Sequence, residues 1–552
     1  MAAEQGATIA VKLTSEGVSR LAKHECIPFA AVPHTTPLFL DFLSHSAKVA
    51  SFYPHKPIIE DVATYAKGIQ YPAERRAAVA SILDRQNKAF GSSAAAMESI
   101  ARLKNGAVAV ISGQQVGLFG GPLYSVLKAA SAIQMALDLT ERGVDAVPVF
   151  WLATEDHDLA EVNHTFKCDG GALKKLTSSS KGKSDAPVGD VRFGEEIAPL
   201  VDEFAKTLAD KTLASIVRES YRAGETFGSA FGKLFAKLFA QYGLILLDPL
   251  DSDLHKLASP ILRAAAEQAH ELDLALLARG KKLRADGYHE QVKVTESSTL
   301  LFSLRDGHRT VIHVAGEDFM IGAQKVPRAE LLSEVSNHPE LFSANVLLRP
   351  VMQDYLLPTA VYFGGAAEVA YFAQVAVVYE KLLGRVTPVM PRFSATVLSG
   401  EHQRLLQKYR LGMPDLFHGS EELQEKLAAT ALAPSLQHEL AAAKDSVRDH
   451  ISKLQKHLKS LDPTLIDAAE RSGRKMQYQL SKIGRKAARA EARRNAQLVA
   501  DSKAILCELF PEKDLQERTL PGVYFLAKHP GLVDELLALA GEYCPGHHLV
   551  KL

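Results

Sequence analysis

The run Ala107-Val108-Ala109-Val110-Ile111 limits the possible folds of this chain more than any other stretch. Five apolar residues, three of them β-branched, are too few for a helix and suit a strand buried on both faces. The run passes into Ser112-Gly113-Gln114-Gln115 and a glycine-rich turn ending at Gly120-Gly121-Pro122. Leu123 to Leu139 then carries a helical pattern of Ala, Leu, Ile and Met, and Val147 to Leu152 reads as a second buried strand. Strand, loop, helix and strand in that order make the building block of a parallel sheet with a right-handed crossover. Leu244–Leu247, Val361–Phe363 and Val386–Val389 read as further strands, separated by helical segments. The pattern predicts a doubly wound α/β core.

A chain of 552 residues is long enough for three or four units of ~150 residues each. The predicted layout is a core over 1–420 including N-terminal helices, with inserts near 160–240 and 293–340. A helical hairpin over 421–510 and a segment over 511–552 returning to the core complete it. Residues 73–104, rich in Ala, Arg and Ile, have helical spacing behind an entry rich in proline and aromatics. Ser178-Ser179-Ser180-Lys181-Gly182 reads as a mobile loop. Leu300–Leu304 and Val311–Val314 read as a hairpin closed by Arg305-Asp306-Gly307-His308.

Val447, Ile451, Leu454, Leu458 and Leu461 repeat at 4-3-4-3 spacing, Asp462-Pro463 breaks the helix, and Met476, Leu480, Ile483, Ala487 and Ala490 resume the rhythm. That spacing predicts an antiparallel coiled-coil hairpin; two surface helices folded onto the core would show a similar pattern. Lys482, Arg485, Lys486, Arg489, Arg493 and Arg494 lie on the second helix, as a solvated basic face or an anion site.

Lys+Arg and Asp+Glu are equal at 64 each, a balance that argues against a dedicated nucleic-acid binder. Cys26, Cys168, Cys507 and Cys544 lack metal-ligand spacing, so neither a disulfide framework nor a zinc site is expected, and ordinary thiols are favoured over a nucleophile. No metal site is predicted. Met1 to Lys12 does not resemble a signal peptide and no run of about 18 apolar residues occurs, so the expected location is the cytoplasm, with no membrane partner.

Three segments could carry chemistry. The first runs from Gln114 and Gln115 through Tyr124 to Lys128, where glycines and a helix N-terminus could bring backbone N–H groups to an anion. Tight-turn packing would also explain the glycines, but adjacent glutamines at a strand end suit a polar ligand. The second, Glu155-Asp156-His157-Asp158, follows a buried strand, with His157 a candidate general base or metal ligand against the alternative of a solvated acidic loop. In the third, Arg349 could clamp a carboxylate, Gln353 lies one turn on, and Glu368 could hold an amine. Structural ion pairs would explain the last set equally well.

SGQQVGLFGGPLYSVLKA, FWLATEDHDLAEVNH and LLRPVMQDYLLPTAVYFGGAAEVAYFAQ, together with the terminal hairpin, resemble the bacillithiol-biosynthesis cysteine-adding enzymes, the BshC family. The resemblance spans nearly the whole chain. It implies a Rossmann-like core interrupted by two connecting peptides, and a coiled coil that mediates a homodimer. The implied activity is a carbon–nitrogen ligase joining L-cysteine to glucosaminyl-malate in the last step of bacillithiol synthesis. A nucleotidyltransferase acting on another small molecule and a non-catalytic coiled-coil scaffold are the rival functions. That family's core is similar to class I aminoacyl-tRNA synthetases, and Gly121-Pro122-Leu123-Tyr124 occupies the place of their HIGH motif; neither HIGH nor KMSKS is present. The resemblance further implies ATP or ADP between Pro391-Arg392-Phe393-Ser394 and the region containing Arg518.

Overall fold

The computed structural model describes residues 25–182, 186–305, 308–542 and 544–552. Two compact units emerge. One comprises the described residues up to Lys167, Lys175–Thr396 and Glu517–Val550; the other comprises Cys168–Lys174, Val397–Gln516 and Lys551–Leu552.

The larger unit is built on a five-stranded sheet: β1 (Val108–Gln114), β2 (Ala146–Leu152), β3 (Ile245–Leu247), β4 (Thr359–Gly364) and β5 (Val389–Pro391). All neighbours are parallel, in the order β3-β2-β1-β4-β5. This is the Rossmann-like, doubly wound arrangement, and it reverses direction between β1 and β4. Helix α1 (Leu123–Glu141) connects β1 to β2, α2 (Arg349–Leu356) precedes β4, and α3 (Ala366–Leu383) follows it.

Strand alternation divides the core between the two faces of the sheet. Ala109, Ile111, Val147, Val149, Trp151, Ile245 and Tyr362 belong to one buried cluster. Val108, Val110, Val361 and Phe363 form the other, with Ala132, Met135 and Leu139 of α1 and Val62 and Ala66 of the helix Ile59–Lys67. The last strand begins three residues after its expected start at Val386. Proline lacks an N–H, so Pro388 can offer only its carbonyl (to the Tyr362 N–H, 3.0 Å), and register starts at Val389 opposite Tyr362.

Between β2 and β3 the described residues form the strands His164–Asp169 and Ala172–Thr177 and the helices Leu159–Val162, Ile197–Ala205, Lys211–Ser220 and Phe227–Leu238. The serines expected to be mobile are fixed: Ser178 and Ser180 are buried and hydrogen-bonded to each other at 2.8 Å, and Ser180 donates to Glu196 at 3.2 Å. Between β3 and β4 the expected hairpin forms as Ser298–Arg305 with His308–Ala315, antiparallel. It belongs to a five-stranded sheet with Asp318–Ile321, Gln324–Val326 and Phe342–Ala344. Asp306 and Gly307 of its turn lie outside the described residues.

The smaller unit is helical. Helix α4 (Pro434–Leu461) and helix α5 (Thr464–Arg494) pack as a hairpin, and Asp462 caps the turn by accepting from the Thr464 N–H at 2.8 Å. The predicted heptad positions divide: Val447, Ile451, Leu458 and Leu480 are half-buried. Leu454, Leu461, Met476 and Ile483 are at least half exposed, whereas Ile451 faces Gly473, where a Cβ would meet it at 2.9 Å. Small residues draw the two helices together and rotate the larger apolar ones outward. Among the basic residues, Arg489 pairs with Glu425 and Arg485 lies 5.4 Å from the Tyr478 ring centroid. No described helix is long and apolar enough to cross a membrane.

The cysteines overturn the expectation of free thiols. Cys26 pairs with Cys544 within the larger unit and Cys168 with Cys507 within the smaller. Their sequence separations, 518 and 339, explain why no local spacing could announce them.

Candidate active site

Doubly wound sheets bind ligands at the carboxyl ends of their strands, beside the point where strand order reverses. Here that point lies between Gln114 and Gly364. Lys128, from the second turn of α1, reaches across it to Glu368 in the first turn of α3, at 2.5 Å. Its ammonium also donates to Gly113 O (2.8 Å) and Gln114 Oε1 (2.7 Å). Three donors thus meet three acceptors, so the ammonium is not left open to a bound anion. Lys128 instead holds Gln114 and Glu368 in position.

Burial lowers the Lys128 pKa, against the opposing pull of Glu368. Burial would raise Glu368, but the Lys128 charge outweighs it and holds the carboxyl below its usual range. Glu368 also accepts from Tyr362 Oη (2.6 Å) and from the Gly365 N–H (2.8 Å). Arg349 donates to Tyr371 Oη (2.9 Å) and Gln353 Oε1 (3.3 Å) and lies 5.5 Å from the Tyr362 ring centroid. Tyr124 accepts from Gln114 Nε2 at 3.3 Å, and burial pushes its phenol up to about 12. Arg392 lies 5.5 Å from the Tyr124 ring centroid.

A second group lines the ends of β1 and β2. Gln115 Nε2 donates to Asp156 Oδ2 (2.7 Å) and Glu161 Oε2 (2.8 Å). The Arg309 guanidinium, brought in by the inserted sheet, donates to His157 Nδ1 at 3.1 Å. An arginine has no acceptor, so Nδ1 carries the lone pair and the His157 proton resides on Nε2. In this contact His157 Nδ1 accepts and Nε2 is left to donate. Buried Glu155 is paired with His255 Nε2 at 3.2 Å. Burial opposes charge on that imidazole, but Glu155 holds its pKa above the ordinary value.

The glycine turn also differs from an open anion cradle. The Leu123 N–H donates to Leu520 O (2.8 Å), the Gly522 N–H to Gly121 O (3.3 Å), and the Gly120 N–H to Tyr221 Oη (3.0 Å). The C-terminal segment thus closes the start of α1. Gly121 has a φ of +67°, which a residue with a Cβ adopts only with strain.

Arg392 donates to Glu517 (2.7 Å) and Phe393 O (2.8 Å), while Ser394 Oγ lies between Glu517 (2.9 Å) and His547 Nδ1 (2.8 Å). Burial lowers His547 to about 4, so its imidazole is neutral, with Thr396 Oγ1 at 2.8 Å on the other nitrogen. The charge of Arg518 acts on the Tyr124 phenol. The structure thus gathers Gln114, Tyr124, Lys128, Glu368, Arg349, Gln353 and Arg392 around the reversal point, with Gln115, Asp156 and His157 along the adjoining strand ends. Tyr362, Tyr371, Asp248, His255, Arg309 and Glu517 escaped sequence reasoning. Only Asp248, at the end of a legible strand, had a local signal.

Asp248 Oδ1 accepts from Thr154 Oγ1 (2.5 Å) and the Leu250 N–H (3.1 Å), and burial pushes its carboxyl up to about 6. The folded state binds this proton more tightly than the unfolded chain, whose carboxyl has an ordinary value of 3.8. Its contribution is therefore fully present below pH ~4 and lost as pH rises through about 6. Asp248→Asn keeps an acceptor for Thr154 and should raise stability at pH 8 by about 1–3 kcal/mol. Urea midpoints at pH 4 and 8 check this; equal gains at both would refute it.

The comparisons with known proteins agree with this architecture. Residues 23–393 match the family model of the bacillithiol-biosynthesis BshC N-terminal Rossmann-like domain, and residues 395–552 that of its C-terminal coiled-coil domain. A protein of Koribacter versatilis (strain Ellin345) is 49% identical over 96% of this chain and 99% of its own. Relatives from Solibacter usitatus (strain Ellin6076), 39% identical over 91% of this chain and 95% of theirs, and Salinibacter ruber (strain DSM 13855 / M31), 32% over 92% and 95%, are similar along their lengths. All three are named, provisionally, cysteine ligase BshC. With both domains matched end to end, the chain belongs to the BshC family of bacillithiol biosynthesis.

Proposed function

We propose that this chain is a ligase that joins the carboxyl of L-cysteine to the amine of glucosaminyl-malate, the last step of bacillithiol synthesis, in the cytoplasm. The observation that carries the reading is the mixed charge at the reversal point. Arg349 and Arg392 supply cationic forks for carboxylates, while Glu368 and Asp156 suit an ammonium group. An amino acid and a malate-bearing amine need both signs in one crevice.

Amide formation from a free carboxylate is uphill in water, so the cysteine carboxyl needs activation as an acyl phosphate or acyl adenylate, with ATP the proposed donor. Arg392, Ser394 and Arg518 would hold the nucleotide. Arg392 fits this use, because the contacts to Glu517 and Phe393 occupy two of its five donors. Attack by the glucosamine nitrogen forms the C–N bond and expels phosphate or AMP. The amine proton passes to Asp156, held by Gln115, and His157 Nε2–H donates to the oxygen on which charge develops. Positioning in such a site contributes up to ~10 kcal/mol.

Incubation of the purified protein with cysteine, glucosaminyl-malate and ATP is the test. The expected product is the amide, with AMP or ADP identifying the intermediate. Nucleotide turnover without amide would support a nucleotidyltransferase on another substrate, and no turnover at all a scaffold.

The same reading includes a homodimer formed through the hairpin. Its support is the outward apolar set Leu436, Leu454, Leu461, Met476, Tyr478 and Ile483, more than isolated surface apolars require. Leu454→Glu with Ile483→Glu should halve the mass measured by light scattering and leave helix content unchanged. A mass unaffected by both changes would exclude this interface.

A further inference from the structure

The Cys26–Cys544 pair lies outside the machinery described above. We propose that it is a reversible thiol–disulfide exchange site whose co-reactant is a low-molecular-weight thiol and its disulfide. Four observations support it. First, both cysteines are half-buried, neither sealed in the core nor fully exposed. Second, Glu25–Pro28 runs antiparallel to Gly546–Lys551 with Cys26 opposite His548, and the three ligand atoms of Cys26, Cys544 and His548 lie within 4.8 Å of one another. An imidazole at that distance is placed to exchange a proton with the sulfurs, and the thiolate is the form that exchanges.

Third, the site has room built into it. A Cβ at position 546 would meet Cys26 Sγ at 2.6 Å, so Gly546 opens the space that the sulfur fills. Cys544 and His548 also line a cavity of about 190 Å³ whose wall includes Asp138, Arg142, Arg392 and Ser394. Charges of both signs there suit a zwitterionic thiol of the size of cysteine. Fourth, the bond holds a strand that acts on the active site. The His548 N–H donates to Ser394 O at 2.9 Å, and His547 holds Ser394 and Thr396. Ser394 donates to Glu517, which anchors Arg392 against Tyr124.

The chemistry balances as a two-electron exchange. A small thiolate attacks Cys544 Sγ, the Cys26–Cys544 bond breaks, and Cys26 leaves as a thiolate that takes up a proton. A second small thiolate attacks the mixed disulfide and expels Cys544, which is protonated in turn. The small thiols end as one disulfide and the protein as a dithiol; the reverse sequence closes the bond. Reduction unpins the terminal strand and loosens the Arg392 wall, so the redox poise of the thiol pool sets the state of the site.

The experiment uses the full chain carrying Cys168→Ser and Cys507→Ser, equilibrated in cysteine/cystine mixtures and read by alkylation and mass spectrometry. Cys26 and Cys544 should become alkylatable together as the ratio rises and close again with cystine. Cys26→Ser should leave Cys544 carrying one cysteine adduct in cystine. Wild-type protein put through the same titration keeps the test decisive if a variant fails to fold. Three results would overturn the proposal: a bond unreduced in excess cysteine, two thiols that never close, or one zinc per chain that blocks both until chelated. None of these readouts depends on ligase activity.

Discussion

Lys128→Met should lower the unfolding free energy of the larger unit by about 3–5 kcal/mol and abolish turnover. Lys128 is 4% exposed and satisfies one oxygen of Glu368, the side chain of Gln114 and the carbonyl of Gly113. Removing the ammonium leaves a half-buried carboxylate with Tyr362 and the Gly365 N–H but without its direct ion-pair partner. The double variant Lys128→Met with Glu368→Gln removes both charges and should recover most of that stability, because a neutral amide still accepts from Tyr362. It should remain inactive, since the crevice loses the carboxylate proposed to meet an ammonium. Thermal and urea unfolding of the two variants measure the coupling. Equal destabilisation in both would show that the pair acts through packing and not through charge.

His157→Ala should behave in the opposite way: a loss of about 10²–10³-fold in kcat with little change in Tm. The side chain is 45% exposed, so its removal opens no cavity and strands no buried group other than an Arg309 fork that also donates to Ala344 O (3.0 Å) and Ser343 Oγ (3.2 Å). The expected loss is that of a single donor aimed at developing negative charge. Because Arg309 fixes the proton on Nε2, His157→Gln should restore part of the rate, which a residue acting as a base would not allow. A Gln variant as slow as the Ala variant would return the base role to the imidazole.

The strands that carry the site were legible because strands covered on both faces, such as Val147–Leu152, read as continuous apolar runs. The polar residues after them fall at one edge of the sheet by the logic of parallel connection, which placed Gln114, Gln115, Glu155, Asp156 and His157 together. Val386 misled because its apolar character signals burial, whereas strand pairing needs an N–H that Pro388 lacks. The heptads located the hairpin but only part of its seam. Apolar spacing identified two helices but not the whole stripe they share, since Gly473, invisible to an apolar count, permits the close approach to Ile451. The partners of the site residues were illegible for a different reason. Arg309, His255 and Glu517 come from an inserted sheet, the helix Ser252–Glu267 after β3 and the C-terminal segment, and nothing in their neighbourhoods marks them.

By itself, then, the sequence determined the parallel α/β core, its two interruptions and the paired terminal helices. These depend on periodicity and on residue types a few positions apart. Tertiary structure alone decided that Lys128 is spent on Glu368, that His157 donates, that Leu520 closes the start of α1, and that the four cysteines pair. Each of those outcomes depends on atoms a few ångströms apart in space but tens to hundreds of residues apart in the chain, where local pattern carries no information about contact.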